Sequence, residues 1–162
     1  MKIKSSRGFT LIEVIIVLAI VAIAASVAAP YLYSFRQNTN LKEAARDISS
    51  DISSFKQRAV SENRSYRINF NAAANNYTIW NESVLNSNSF DNLITTETVG
   101  AGNANIVISG TPSFTGGVTY VTFYPRGTSG AGSLTLQHTK RLSTATITTN
   151  LMGRVNVQYV LK

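Results

Sequence analysis

From Phe9 to Ala29 the chain reads FTLIEVIIVLAIVAIAASVAA, with only Thr10, Glu13 and Ser26 as polar interruptions. A helix needs ~20 apolar residues to cross a bilayer core, so this run is expected to be one transmembrane span. After Gly8 no glycine occurs until Gly100, and Pro30 is the only proline before Thr111, so helix is expected to continue to about Glu62. Beyond the span, Leu41, Ala45, Ile48, Ile52, Phe55 and Ala59 recur at alternating spacings of four and three, one apolar stripe on a helix. A helix of roughly 54 residues would measure ~80 Å, more than a bilayer holds, so its second half must leave the membrane and find a cover for the stripe. Pro30 has no amide hydrogen and crowds the carbonyl of Ser26, which predicts a kink there or a break into two helices. Asn63 is the expected stop.

The formal charge of +7 suggests a polyanionic partner, but three of the cations, Lys2, Lys4 and Arg7, precede the apolar run in a segment without acids. That arrangement fits the cytoplasmic flank that orients a membrane helix. Without those three, twelve basic side chains face eight acidic ones, a net +4. No cysteine is present, which removes disulfides, thiol nucleophiles and thiolate metal sites.

From Arg64 onward the period changes from helical to alternating. RSYRINF sets Tyr66, Ile68 and Phe70 on one face, NYTIW pairs Tyr77 with Ile79, and VTYVTFY is β-branched and aromatic. Further strands are expected at 104–109, 133–137, 144–149 and 154–161. NESVLNSNSFDN, GTPSFTGG and RGTSGAG read as turns and loops. The predicted fold is α+β: a long N-terminal helix over 9–62, transmembrane over 9–29, whose second half packs on a small antiparallel β domain over 63–162.

Glu13 is the anomaly. Three readings of the N-terminus arise: a secretory signal cut near Ala28 and Ala29, an uncleaved signal anchor, or cleavage between Gly8 and Phe9. In the third, Phe9 and Glu13 stand at i and i+4, so the carboxylate can meet the new terminal ammonium or that of a neighbouring helix. An unpaired ion in lipid costs several kcal/mol, and this drive to pair would help fix the register of an assembly. Alternatively Glu13 lies near the interface and reaches water. Residue physics alone leans toward that second account.

The stretch RGFTLIEVIIVLAIVAIAA with its basic eight-residue leader closely resembles the N-terminus of type IV pilins and type II secretion pseudopilins. The resemblance implies cleavage after Gly8 by a prepilin peptidase, N-methylation of Phe9, and Glu13 as the assembly glutamate. Pro30 matches the position where such helices often carry a kinking proline. VTFYPRGTSGAGSLTLQ and ATITTNLMGRVNV resemble the GspH/FimT-like branch of minor pilins and pseudopilins. That implies other pilins or pseudopilins as partners, and an inner-membrane precursor with an extracytoplasmic β domain that later joins a pilus or pseudopilus.

No catalytic, metal or cofactor site emerges from the rest. His138 follows a strand without a second His or any Cys nearby and is expected on the surface or in a turn. Glu82, Asp91 and Glu97 are expected in or beside loops and form no acid/base pair. YPRGTSGAG lacks the Gly-Lys-Ser/Thr ending of a phosphate-binding loop. FimT-like members can bind DNA through a Gly-Arg-x-Arg stretch; here Gly153 and Arg154 match while Asn156 stands for the second arginine. Alternation predicts Arg154, Asn156 and Gln158 on one strand face, with Lys140, Arg141, Arg126 and Lys162 as additional phosphate contacts if the fold gathers them.

Overall fold

A computed structural model describes residues 9–85, 87–100 and 105–162. The described residues form one helix, α1 (Leu11–Ser61), and eight strands: β1 (Tyr66–Asn71), β2 (Asn76–Glu82), β3 (Phe90–Thr98), β4 (Ile106–Phe114), β5 (Tyr120–Phe123), β6 (Gly132–His138), β7 (Thr144–Thr149) and β8 (Val155–Val160). The chain divides into two units, one ending at Arg36 and one spanning Gln37–Lys162.

In the first unit every described residue from Phe9 to Tyr33 is exposed, so the apolar run has no protein cover of its own. The helical assignment runs through Pro30, so the expected break into two helices does not occur. Ser26 donates its hydroxyl to the Ile23 carbonyl at 2.7 Å, which satisfies a polar group inside the apolar run.

In the second unit the stripe is buried as expected, Leu41, Ala45, Ile48, Ile52, Phe55 and Ala59 all facing the core, and Ala44 joins them. The helix ends by a Schellman arrangement. Asn63 takes φ 49°, and the Arg64 N–H reaches back to the Ala59 carbonyl at 3.1 Å. Asparagine tolerates that left-handed conformation better than most residues, which is why the stop falls there.

The expected antiparallel β domain is built from two four-stranded sheets. Their orders are β3-β2-β1-β5 and β4-β6-β7-β8, antiparallel throughout. Both contribute to a single core: Tyr66, Ile68, Phe70, Ile79, Val121 and Phe123 from the first sheet, and Ile106, Phe114, Leu134, Leu136 and Ile147 from the second. Phe55 meets Tyr66 at 5.5 Å between ring centroids, tying helix to first sheet, and Phe70 stacks on Phe114 at 5.7 Å, tying sheet to sheet. Asn75, in the β1–β2 turn, adds a polar tie: its amide donates to the Ile106 carbonyl at 2.8 Å and accepts from the Ile108 N–H at 2.9 Å.

Two segments read as loops are strand. GTPSFTGG contributes Gly110–Phe114 to β4, where a bulge between Ser109 and Ser113 absorbs Gly110 and Pro112. NESVLNSNSFDN ends in the start of β3, an edge strand rich in Thr. The core contacts of β3 are few, so no apolar alternation marked it.

Candidate functional site

The helix start is built by Thr10. Its Oγ1 accepts the Glu13 N–H at 3.3 Å, and its carbonyl accepts the same N–H at 3.1 Å. Thr10 is thus the N-cap and Glu13 the third helical residue, the positions of a capping box. Thr10-x-x-Glu13 was legible as that signal, and sequence reasoning passed over it. Glu13 also lies in the first turn, where the helix dipole favours a carboxylate. Phe9 is 85% exposed and precedes the cap. Phe9 itself lies just ahead of α1, and the expected i, i+4 pairing with Glu13 concerns the chain cut after Gly8. Gly8 lies outside the described residues.

The basic residues proposed for nucleic acid occupy two ends of the second sheet. Arg141 donates through Nε to the Lys162 carbonyl at 2.8 Å and again through Nη2, while Ser143 Oγ accepts the Lys162 N–H at 2.9 Å. Lys140 is in the same β6–β7 turn. Arg154 is at the other end, in the turn before β8, its N–H held by Asn150 Oδ1 at 2.9 Å. The turn bearing Arg126 belongs to that end too, since the Ser129 N–H donates to the Leu151 carbonyl at 3.0 Å. Six-residue strands separate the two groups by roughly 17 Å. The five cations therefore form no single patch. Arg154, Asn156 and Gln158 are exposed, while Val155, Val157 and Tyr159 pack on the core. β8 is an edge strand of its sheet, and Arg154 borders a groove between it and Lys56, Gln57 and Val60 of α1.

His138 corrects its expectation: it is the last residue of β6 and 1% exposed. Its Nε2 contacts Gln37 Oε1, and Nδ1 faces the N–H groups of Lys140 and Arg141 at 3.3 and 3.4 Å. Burial, aided by the charges of Arg141 and Lys140, pushes its pKa below the ordinary value. The ring is a structural post between helix and turn. Glu82 ends β2, and Asp91 and Glu97 lie near the two ends of β3, in strand but beside loops as expected. Glu82 Oε1 accepts the Asn88 N–H at 3.0 Å, and Asp91 binds the N–H and hydroxyl of Ser83, which together hold the β2–β3 connection.

Residues 3–29 match the family described as prokaryotic N-terminal methylation motif, and residues 44–153 match the family described as Type II transport protein GspH. The second match runs from the buried stripe through β7 to the turn before Arg154. The chain belongs to the GspH family. No curated protein sequence matches it. In structure this GspH-family chain is similar to the type IV minor pilin FimU of Pseudomonas aeruginosa, with a TM-score of 0.57 at 18% identity, over 76% of this chain and 92% of that one. It is equally similar to the minor pseudopilin EpsH from the type 2 secretion system of Vibrio cholerae, with a TM-score of 0.57 at 8% identity, over 74% and 97%. At such identities the likeness shows the fold. Members of the GspH family are structural pilin and pseudopilin subunits, which agrees with a helix whose apolar half is uncovered within the chain.

Proposed function

We propose that the chain is a minor type IV pilin of the GspH/FimT-like branch, a structural subunit that primes or joins a pilus. Residues 1–8 are then a leader removed after Gly8 by a prepilin peptidase, Phe9 becomes the N-methylated terminus, 9–62 is the spine, and 63–162 is the β domain on the extracytoplasmic side of the inner membrane. The observation that carries this reading is the two-part surface of α1: an apolar run with every residue exposed, followed by a stripe that is wholly buried. Lipid covers the first part in the precursor, and the helices of neighbouring subunits replace lipid in the filament.

Glu13 supplies the register. Its backbone is fixed by Thr10, so its carboxylate projects from a defined point of the first turn, where the amine of a neighbouring Phe9 is the matching charge. Pro30 removes one helical hydrogen bond just beyond the apolar run and lets the spine bend as it packs.

A second reading, a pseudopilin at the tip of a type II secretion pseudopilus, is supported by the family's description and by the equal likeness to EpsH. Shearing surface filaments from the native host and probing them for the mature chain separates the two, together with filament yield from a deletion strain. Presence in the filaments with loss of yield is the result expected of a minor pilin. Absence with normal yield overturns that reading in favour of secretion.

A further inference from the structure

The outer face of the first sheet carries a side-chain arrangement that neither the helix nor the core uses. Arg67, on the central strand β1, has its guanidinium between two rings, 3.8 Å from the Phe90 centroid and 4.1 Å from that of Tyr120. Its Nε donates to Thr122 Oγ1 at 3.2 Å, directly across the β1–β5 pair. Both π faces and one N–H of the group are therefore occupied. The Nη1 and Nη2 groups have no partner among the described residues, and no carboxylate there lies within ion-pair distance of them. They are also not sealed from solvent.

A cation held in this way is a fixed fork. The rings bar anything from stacking on it and cut the rotamer entropy it would lose on binding, so what it accepts is a planar acceptor approaching edge-on. Register places the indole of Trp80 directly opposite Arg67 on β2, with Nε1 tied to Thr78 Oγ1 at 2.9 Å. Asn69, opposite Tyr120, faces the same way, as does Leu93, opposite Trp80. None of these neighbours is charged. The face thus combines one unpaired cation, aromatic surface and neutral hydrogen-bonding groups.

We propose that this face binds a carboxylate-bearing saccharide, with the carboxylate on the Arg67 Nη groups, sugar C–H surface against Trp80 and Tyr120, and hydroxyls on the neutral polar groups. Charge decides against a nucleic acid strand here: its phosphates repeat with every nucleotide and call for several cations, and this face offers one. The site is independent of the helix and of which filament the chain joins.

Trp80 is the single tryptophan, so its emission reports on the face directly. The full chain in detergent micelles is titrated with trigalacturonic acid, its methyl ester and an oligothymidylate. The expected result is a saturable change with the acid, binding about tenfold weaker for the ester, and a similar loss in Arg67→Lys, which keeps the charge but not the fork. Phe90→Leu, which releases one side of the clamp, is expected to weaken binding at unchanged charge. Equal affinity for acid and ester, no saturable response to the acid, unchanged binding by a folded Arg67→Lys, or tighter binding of the oligothymidylate each overturns the proposal. The ester comparison uses the unaltered chain and so decides even if a variant fails to fold.

Discussion

A methyl group added at Gly132 would have no room. Its Cβ would fall 2.3 Å from the Ser113 carbonyl oxygen and 2.5 Å from both Cα and Cδ1 of Phe114. Two of those three atoms are backbone, so no rotamer change relieves the clash, and β4 must move off β6 by about an ångström at the Phe114–Gly132 pair. Phe114 is buried and stacked on Phe70, so the shift also loosens the link between the sheets. Overpacking costs ~1–3 kcal/mol, and contact with two backbone atoms of β4 puts Gly132→Ala at about 3 kcal/mol. For a unit the size of Gln37–Lys162 that lowers Tm by roughly 10 °C. Gly130→Ala is the control, since its Cβ would meet only Val121 Cγ2, at an ordinary 3.9 Å. Thermal unfolding of both variants by near-UV circular dichroism and Trp80 emission provides the comparison. A Gly132→Ala midpoint within about 2 °C of the parent, or an equal drop in both variants, would refute the close-approach argument.

Gly8→Leu is expected to leave an unprocessed precursor on immunoblots, whereas Glu13→Ala should mature normally and be depleted from the assembled filament; normal maturation of the first or full incorporation of the second defeats the assignment concerned. His138 titrates below the usual 6.5 in the fold, so the unfolded chain binds the proton more readily and stability falls as pH drops below about 6.5. His138→Gln should flatten the Tm profile between about pH 7 and 5 relative to the parent, and parallel profiles would mean the ring stays accessible to protons. Asp51 titrates above its usual 3.8, chiefly through burial and secondarily through the charges of Glu97 and Asp47, against the hydrogen bond from Tyr77 at 2.6 Å. Its ionisation costs stability as pH rises through the carboxylate range, so Asp51→Asn should gain on the parent from about pH 3 to 6; a constant difference refutes this. If the soluble face of the chain binds DNA through the edge strand, Arg154→Ala should weaken it and reduce its salt dependence, and unchanged affinity removes Arg154 from the contact.

The features legible in the sequence are those carried by local periodicity and local chemistry. The exposed apolar run, the stripe from Leu41 to Ala59, the stop at Asn63 and the strands around Tyr66, Tyr77, Leu134 and Ile147 each follow from spacing or from one residue's backbone preference. The family was legible for a related reason: Gly8, Phe9 and Glu13 stand in one short continuous motif.

What tertiary structure alone decided depends on pairing between distant residues. The β domain divides into two sheets because β4 pairs with β6 and β1 with β5, choices of register that no local pattern encodes. The same pairing buried His138 against Gln37, split the basic residues between two ends of one sheet, and closed Phe90 and Tyr120 over Arg67 from strands on either side of it. By itself the sequence determined that this chain has a long apolar run followed by a covered stripe on one helix, because helical period is a local property. Which side chains meet on the β domain was settled only when eight strands found their partners, because such contacts are set by register and not by neighbours in the chain.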